Sequence, residues 1–155
     1  EDTVETYEKT EIELEVNRLT PGDYALLFDT LYKYGFLAKA EGDKAKEVEL
    51  GFRAKQGNGK YEFSWYYCGK AEHPDVTYET VKDKKTAQTI KITFTFYARK
   101  KEDTIEGEKK KLYALIVDES NLLEEHTTAK EAIAAWFSEV QEYKEVPKAA
   151  SETGH

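Results

Sequence analysis

A chain of 155 residues is long enough to bury a core without covalent staples, and its single cysteine, Cys68, excludes an internal disulfide framework. The 31 Asp and Glu outweigh the 23 Lys and Arg for a formal charge of -8, which argues against an ordinary phosphate-binding surface that reads nucleic acid. No apolar run approaches membrane-spanning length and no signal-peptide pattern opens the chain, so it reads as soluble with no membrane partner. It contains no Met and so is expected to begin as a processed or trimmed chain.

Residues 1 to 9 form a polar, acidic segment expected to be flexible, and the body of the chain, 10 to 146, reads as a single domain. From Thr10, Ile12, Leu14 and Val16 alternate with Glu11, Glu13 and Glu15, which predicts a strand with one buried and one acidic face. Leu19 to Tyr34 then reads as a helix, with Thr20 as cap, Pro21 at the first helical position and Asp23 in the first turn. Tyr24, Leu27, Leu31 and Tyr34 would form its apolar side, and Gly35 would end it.

Phe36 to Ala40 is a short candidate strand that leads to the stretch around which the chain is organised, Lys46 to Lys70. Its arms, Val48 to Lys55 and Lys60 to Cys68, alternate, and Gln56 to Gly59 supply a tight reversal, so a β-hairpin is predicted. Tyr61, Phe63, Trp65 and Tyr67 share one face, a large aromatic area on which the rest should pack.

A second hairpin is expected from Val76 to Lys82, a turn at Asp83 to Lys85 and a long arm from Thr86 to Arg99, in which Ile90, Ile92, Phe94 and Phe96 alternate with polar residues. Lys100 to Lys111 reads as charged loop, part of a basic run that starts at Lys82 and includes Arg99, whereas Leu112 to Val117 is apolar on both faces and predicts a central strand. Thr128 with Glu131 predicts a capping box for a last helix bearing Ile133, Trp136, Phe137 and Val140. Residues 147 to 155 read as a disordered, tag-derived tail. The expected fold class is mainly β (α+β): an antiparallel sandwich or partly closed barrel with one helix after the first strand and one at the C-terminal end. The expected core includes Phe52, Phe63, Trp65, Phe94, Trp136 and Phe137.

No catalytic constellation emerges. His73, His126 and His155 are unrelated in spacing and form no metal set with Cys68, glycines Gly57 and Gly59 are explained by a turn, and no apolar pocket splits the pKa values of paired carboxylates. The chain is therefore not expected to be an enzyme, nor to hold a metal or cofactor.

Four stretches taken in order, LTPGDYALLFDTLY from Leu19, EVELGFRAKQGNGKYEFSWYYCGKAEHPDVTYETVKDKK from Glu47, TIKITFTFYARK from Thr89 and AKEAIAAWFSEV from Ala129, cover most of the chain from Thr10 to Tyr143. This ordered set resembles the major tail proteins, or tail tube proteins, of long-tailed bacteriophages and prophages of Gram-positive bacteria. One departure is TAQT at Thr86 to Thr89, where the family has a Thr-Pro-Thr-like stretch.

The resemblance implies a tail-tube fold shared with the type VI secretion tube protein. It implies a structural virion protein whose partners are copies of itself in stacked hexameric rings and other phage tail proteins. Double-stranded DNA would pass through without specific binding, and the protein would be in the host cytoplasm during assembly and in the virion tail thereafter. A DNA conduit should carry carboxylates rather than cations, since each neutralised phosphate adds affinity. Glu11, Glu13, Glu15, Glu47, Glu49 and Glu62 are thus candidate lumen or ring-contact residues, and Lys82, Lys84 and Lys85 a candidate basic turn that reaches a neighbouring subunit. The alternative from the residue pattern alone is a small-molecule-binding β-barrel module with an aromatic cavity and the last helix as a lid. A secreted or surface adhesion domain is a third possibility.

Overall fold

A computed structural model describes residues 6–76 and 89–145. The fold is mainly β with antiparallel pairing and two short α-helices, an α+β arrangement. Its contacts group it into two compact units, residues up to 48 with 67–98, and 49–66 with the residues from 99 onward.

In the first unit, β1 (Thr10–Val16) pairs antiparallel with β6 (Ile90–Tyr97), with Ile12 opposite Phe94 and Leu14 opposite Ile92. The alternation read from both segments holds, for Ile92, Phe94 and Phe96 are buried while Glu11, Glu13 and Glu15 are exposed. On its other side β6 pairs with the end of β5 (Tyr61–Ala71), Gly69 lying opposite Phe96. A Cβ at Gly69 would run into the Phe96 ring, so the missing side chain is what lets that ring lie flat over the strand. Residues 6–9 are not loose throughout. The Tyr7 hydroxyl donates to Thr10 Oγ1 at 2.6 Å and to the Phe96 carbonyl at 3.1 Å.

Helix α1 (Pro21–Phe28) starts as the sequence indicates, with Thr20 Oγ1 accepting from the Asp23 N–H and Asp23 accepting from the Thr20 N–H. It ends earlier than expected, at Asp29 in the left-handed region (φ 57°). The predicted helix up to Tyr34 is corrected to a β-hairpin of β2 (Leu31–Lys33) and β3 (Phe36–Ala38). Gly35 serves its turn, so Leu31 and Tyr34 are exposed rather than part of a buried helical face. Phe28 is fully buried and stacks on the His73 ring at 4.1 Å.

In the second unit, β4 (Val48–Lys55) neighbours β5, and the predicted central hairpin is present. Of its turn glycines only Gly59 takes a positive φ, 83°. The tip is latched by side chains: Asn58 accepts from the Lys60 N–H, Gln56 donates to Asp118 at 2.9 Å and accepts from the Ser120 hydroxyl, and Glu119 accepts from the Tyr61 N–H. β9 (Ala114–Asp118) pairs antiparallel with the first half of β5. The expectation of a central strand buried on both faces is corrected, because β5 is the partner of β9 among the described strands and Ile116 is 48% exposed. The charged loop from Lys100 to Lys111 is likewise corrected. It holds a hairpin of β7 (Asp103–Ile105) and β8 (Glu108–Lys110), turned at Glu106 and Gly107, both at positive φ.

Helix α2 (Thr127–Ala134) opens on His126, whose side chain makes no cap bond to the helix, so the capping box at Thr128 and Glu131 is corrected. Thr128 already lies within the helix, and the His126 ring instead accepts from the Leu123 N–H at 2.9 Å. Beyond Ala134 the chain continues as turns, which places Trp136 and Phe137 on different sides. Trp136 is buried edge-on to Phe63, while Phe137, expected in the core, is 56% exposed and is corrected to a surface residue. Two indoles lock this unit: Trp65 Nε1 donates to the Trp136 carbonyl at 3.0 Å, and Trp136 Nε1 to the Ser64 carbonyl at 3.1 Å. Phe52 and Trp65 are half-buried, and Phe63 and Phe94 are buried.

Candidate functional site

The six candidate glutamates do not form one row. Glu11, Glu13 and Glu15 lie at alternate positions on β1 and so point to one side, spaced roughly 6 to 7 Å apart along the strand. Their cross-strand neighbours on β6 are Thr95, Thr93 and Lys91. Lys9 Nζ lies 3.3 Å from Glu11, which raises the lysine's pKa above its ordinary value, and Glu15 accepts from the Thr89 hydroxyl. Three carboxylates thus stand on a half-hydroxylated, solvent-facing sheet surface, with Glu13 flanked by no described cation in an ion pair. β1 is also at the edge of the strand order among the described strands, a position at which charged side chains oppose unwanted pairing.

Glu47 stands just before β4 and accepts from the Cys68 thiol at 2.6 Å. Glu49 and Glu62 belong to the other compact unit. Glu49 is exposed on β4, and Glu62 is half-buried on β5 directly opposite Asp118, whose carboxylate is held below its usual range by hydrogen bonds from Gln56, Asn121 and the Ser120 N–H. Lys82, Lys84 and Lys85 lie outside the described residues.

Two further features escaped the sequence reading. Arg99 belongs to a basic run in the sequence, yet its guanidinium is buried and forks onto Glu142, with Nη2 to Oε1 at 2.6 Å and Nη1 to Oε2 at 3.1 Å, while Nη2 also meets Asp103 at 2.7 Å. The guanidinium holds the Glu142 carboxyl below its ordinary value. The second unit also contains a cleft of about 550 Å³, with Leu115, Val117 and Ala132 among its apolar lining and Glu131, Glu139 and Glu145 among its acidic groups. The aromatic stripe of β5 does not line it; among the described residues the rings in its wall are Tyr143 and His126. Weak alternation in short segments hid both the cleft and its wall from periodicity.

Among the described residues no group of three or more His, Cys, Asp or Glu is placed to hold a metal ion, and no helix is long and apolar enough to cross a membrane. Comparison with protein-family models, curated proteins and solved structures gives no match for this chain.

Proposed function

We propose that this chain is a structural subunit of a phage tail tube, assembling into stacked hexameric rings that conduct double-stranded DNA. The reading begins from the ordered resemblance of the stretches at Leu19, Glu47, Thr89 and Ala129, and the mainly β fold is compatible with it. The observation that carries it is the β1 face, where Glu11, Glu13 and Glu15 are exposed side by side and hydroxyls of Thr93 and Thr95 stand beside them. Three carboxylates outnumber the two lysines beside them, Lys9 paired with Glu11 and Lys91 opposite Glu15, so the face repels phosphates at short range and DNA moves past without sticking. The repulsion is local, since the Debye length at physiological salt is about 8 Å.

The alternative, a small-molecule module with an aromatic cavity, is less favoured because the β5 aromatics are engaged in packing, Phe63 and Tyr67 being buried and Trp65 tied to the Trp136 carbonyl.

The test is the mass of the chain in solution over a wide concentration range, with negative-stain images of the most concentrated sample. Rings or tubes are the expected outcome. A strict monomer throughout, under conditions in which the β-rich circular dichroism of the fold is intact, would count against the tube.

A further inference from the structure

The β2–β3 hairpin carries a cost without an internal return. Tyr34 sits at the first turn position with φ 54°, followed by Gly35 at 82°, a turn in which Asn is at ease and a bulky aromatic is not. Yet the Tyr34 ring is 86% exposed and its described ring contact is the neighbouring Lys33 ammonium, 5.1 Å away. Leu31 and Phe36, the latter 75% exposed, lie on the hairpin face that also carries Lys33, and Tyr32 is exposed on the opposite face. Aromatic side chains of this size present roughly 150 to 250 Å² each, so the hairpin leaves on the order of 400 Å² of apolar surface in water, the size of patch that marks an interaction site.

The hairpin's chemistry has a counterpart on the same chain. Residues 31–39 include Lys33 and Lys39 and no acid. The cleft of about 550 Å³ in the second unit has apolar lining at Leu115, Val117 and Ala132, and its acidic side chains, Glu131, Glu139 and Glu145 among them, outnumber the single lysine, Lys144. Apolar-and-cationic thus meets apolar-and-acidic.

We propose that the β2–β3 hairpin of one copy seats in the β9–α2 cleft of a second copy, Tyr34 and Phe36 packing on the apolar lining and Lys33 meeting the acidic side chains. Because the two surfaces differ, the contact is heterologous: each copy gives a hairpin to one neighbour and a cleft to another, and assembly continues until a ring closes or a filament grows. The occupant is a copy of this chain rather than another protein because charge and polarity complement each other within one sequence, so every copy carries both halves of the contact. The patch is small, so a single contact is weak and gains strength only when several act together. The contact is argued from these two surfaces and does not rest on the tail-tube reading; copies that pair this way without forming rings would retain it and remove that reading.

The test uses the full chain in sedimentation velocity up to about 1 mM, where weak contacts are populated. The hairpin variant is Tyr34→Asn with Phe36→Ser, and the cleft variant is Glu131→Lys with Glu139→Lys, all at exposed positions. Each variant should associate on the order of tenfold or more weakly than the parent, as expected for loss of a central anchor or reversal of a charged rim. Thermal melts should show both folded, with the Tyr34→Asn turn at least as stable as the parent. Mixed together, the two variants should recover one contact, an intact hairpin from one and an intact cleft from the other, and stop at a 1:1 complex. A parent that stays monomeric at the highest concentration, variants that associate as the parent does, or a mixture that fails to pair would each overturn the proposal.

Discussion

Arg99 is the residue at which solvation and pairing pull hardest against each other. A buried guanidinium costs several kcal/mol unless its charge is met, and here Glu142 and Asp103 meet it with the fork geometry that suits arginine. Removing the cation by Arg99→Met should destabilise the fold by about 3 kcal/mol, because the largely buried Asp103 and its neighbour Glu142 are left with only the exposed Lys101 ammonium, 3.6 and 3.4 Å away, to meet their charge. Glu142→Gln should cost less, about 1 kcal/mol, since that side chain is 36% exposed and solvent screens the pair. The pH dependence follows from the direction of the Glu142 shift. A carboxyl whose folded pKa lies below its ordinary 4.5 contributes stability that is fully present above that value and is lost as pH falls through the folded pKa. Urea unfolding of the parent and of Glu142→Gln should therefore differ most at about neutral pH and converge in acid, as pH falls below the ordinary 4.5 and through the lower folded pKa. A difference that stayed constant into acid would show that the ion pair is not its source.

Among the elements, the β4–β5 hairpin shows how a glycine can act on a strand it does not belong to. Gly51 lies within β4, and a Cβ there would come within 2.5 Å of the Trp65 indole. Gly51→Ala should push Trp65 off the hydrogen bond to the Trp136 carbonyl and cost about 2 kcal/mol in a chemical melt, the range for overpacking a well-filled site. An unchanged melting curve with unchanged Trp fluorescence would mean that the indole moves freely.

The long alternating elements, β1, the β4–β5 hairpin and β6, were legible because a period of two repeated over seven or more residues has few competing explanations. The two three-residue hairpins were not. Tyr34-Gly35 and Glu106-Gly107 are both X-Gly pairs at positive φ, a turn signal present in the sequence. At Gly35, however, the same letter also marks a helix C-terminus, and at Gly107 the flanking strands are too short and too charged to show alternation. Helix α2 failed in the opposite way. Thr128 and Glu131 fit a capping box in spacing, but the bond from the Leu123 N–H to His126 fixes the chain so that the helix has already begun one residue earlier.

On the scale of the whole molecule, charge is the property that links sequence to the proposed role. Replacing Glu11, Glu13 and Glu15 with Lys changes the formal charge from -8 to -2, since each swap adds two. The parent should show no measurable affinity for double-stranded DNA, whereas the triple variant should bind it in low salt, with log K falling by about 0.9 per decade of salt for each phosphate neutralised. In particles that carry the variant, DNA ejection should slow while assembly proceeds. Unchanged ejection from particles that do contain the variant would remove the β1 face from the lumen.

Composition determined the acidic balance and the exclusion of a disulfide framework, and alternation determined the faces of β1 and β6, because these depend on which residues are present and on neighbours along the chain. Tertiary structure decided which of the charged residues stay in water. Glu11, Glu13 and Glu15 in an acidic row and Arg99 in a basic run carry no pairing signal in the sequence, yet three remain on an open strand face and one is enclosed by carboxylates from positions 103 and 142. It also decided that Trp136 is core and Phe137 surface, since adjacent aromatics separate only when the helix before them stops and a partner such as the Ser64 carbonyl claims one of them. Long-range contacts of that kind, joining residues 72 positions apart, leave no trace in local periodicity.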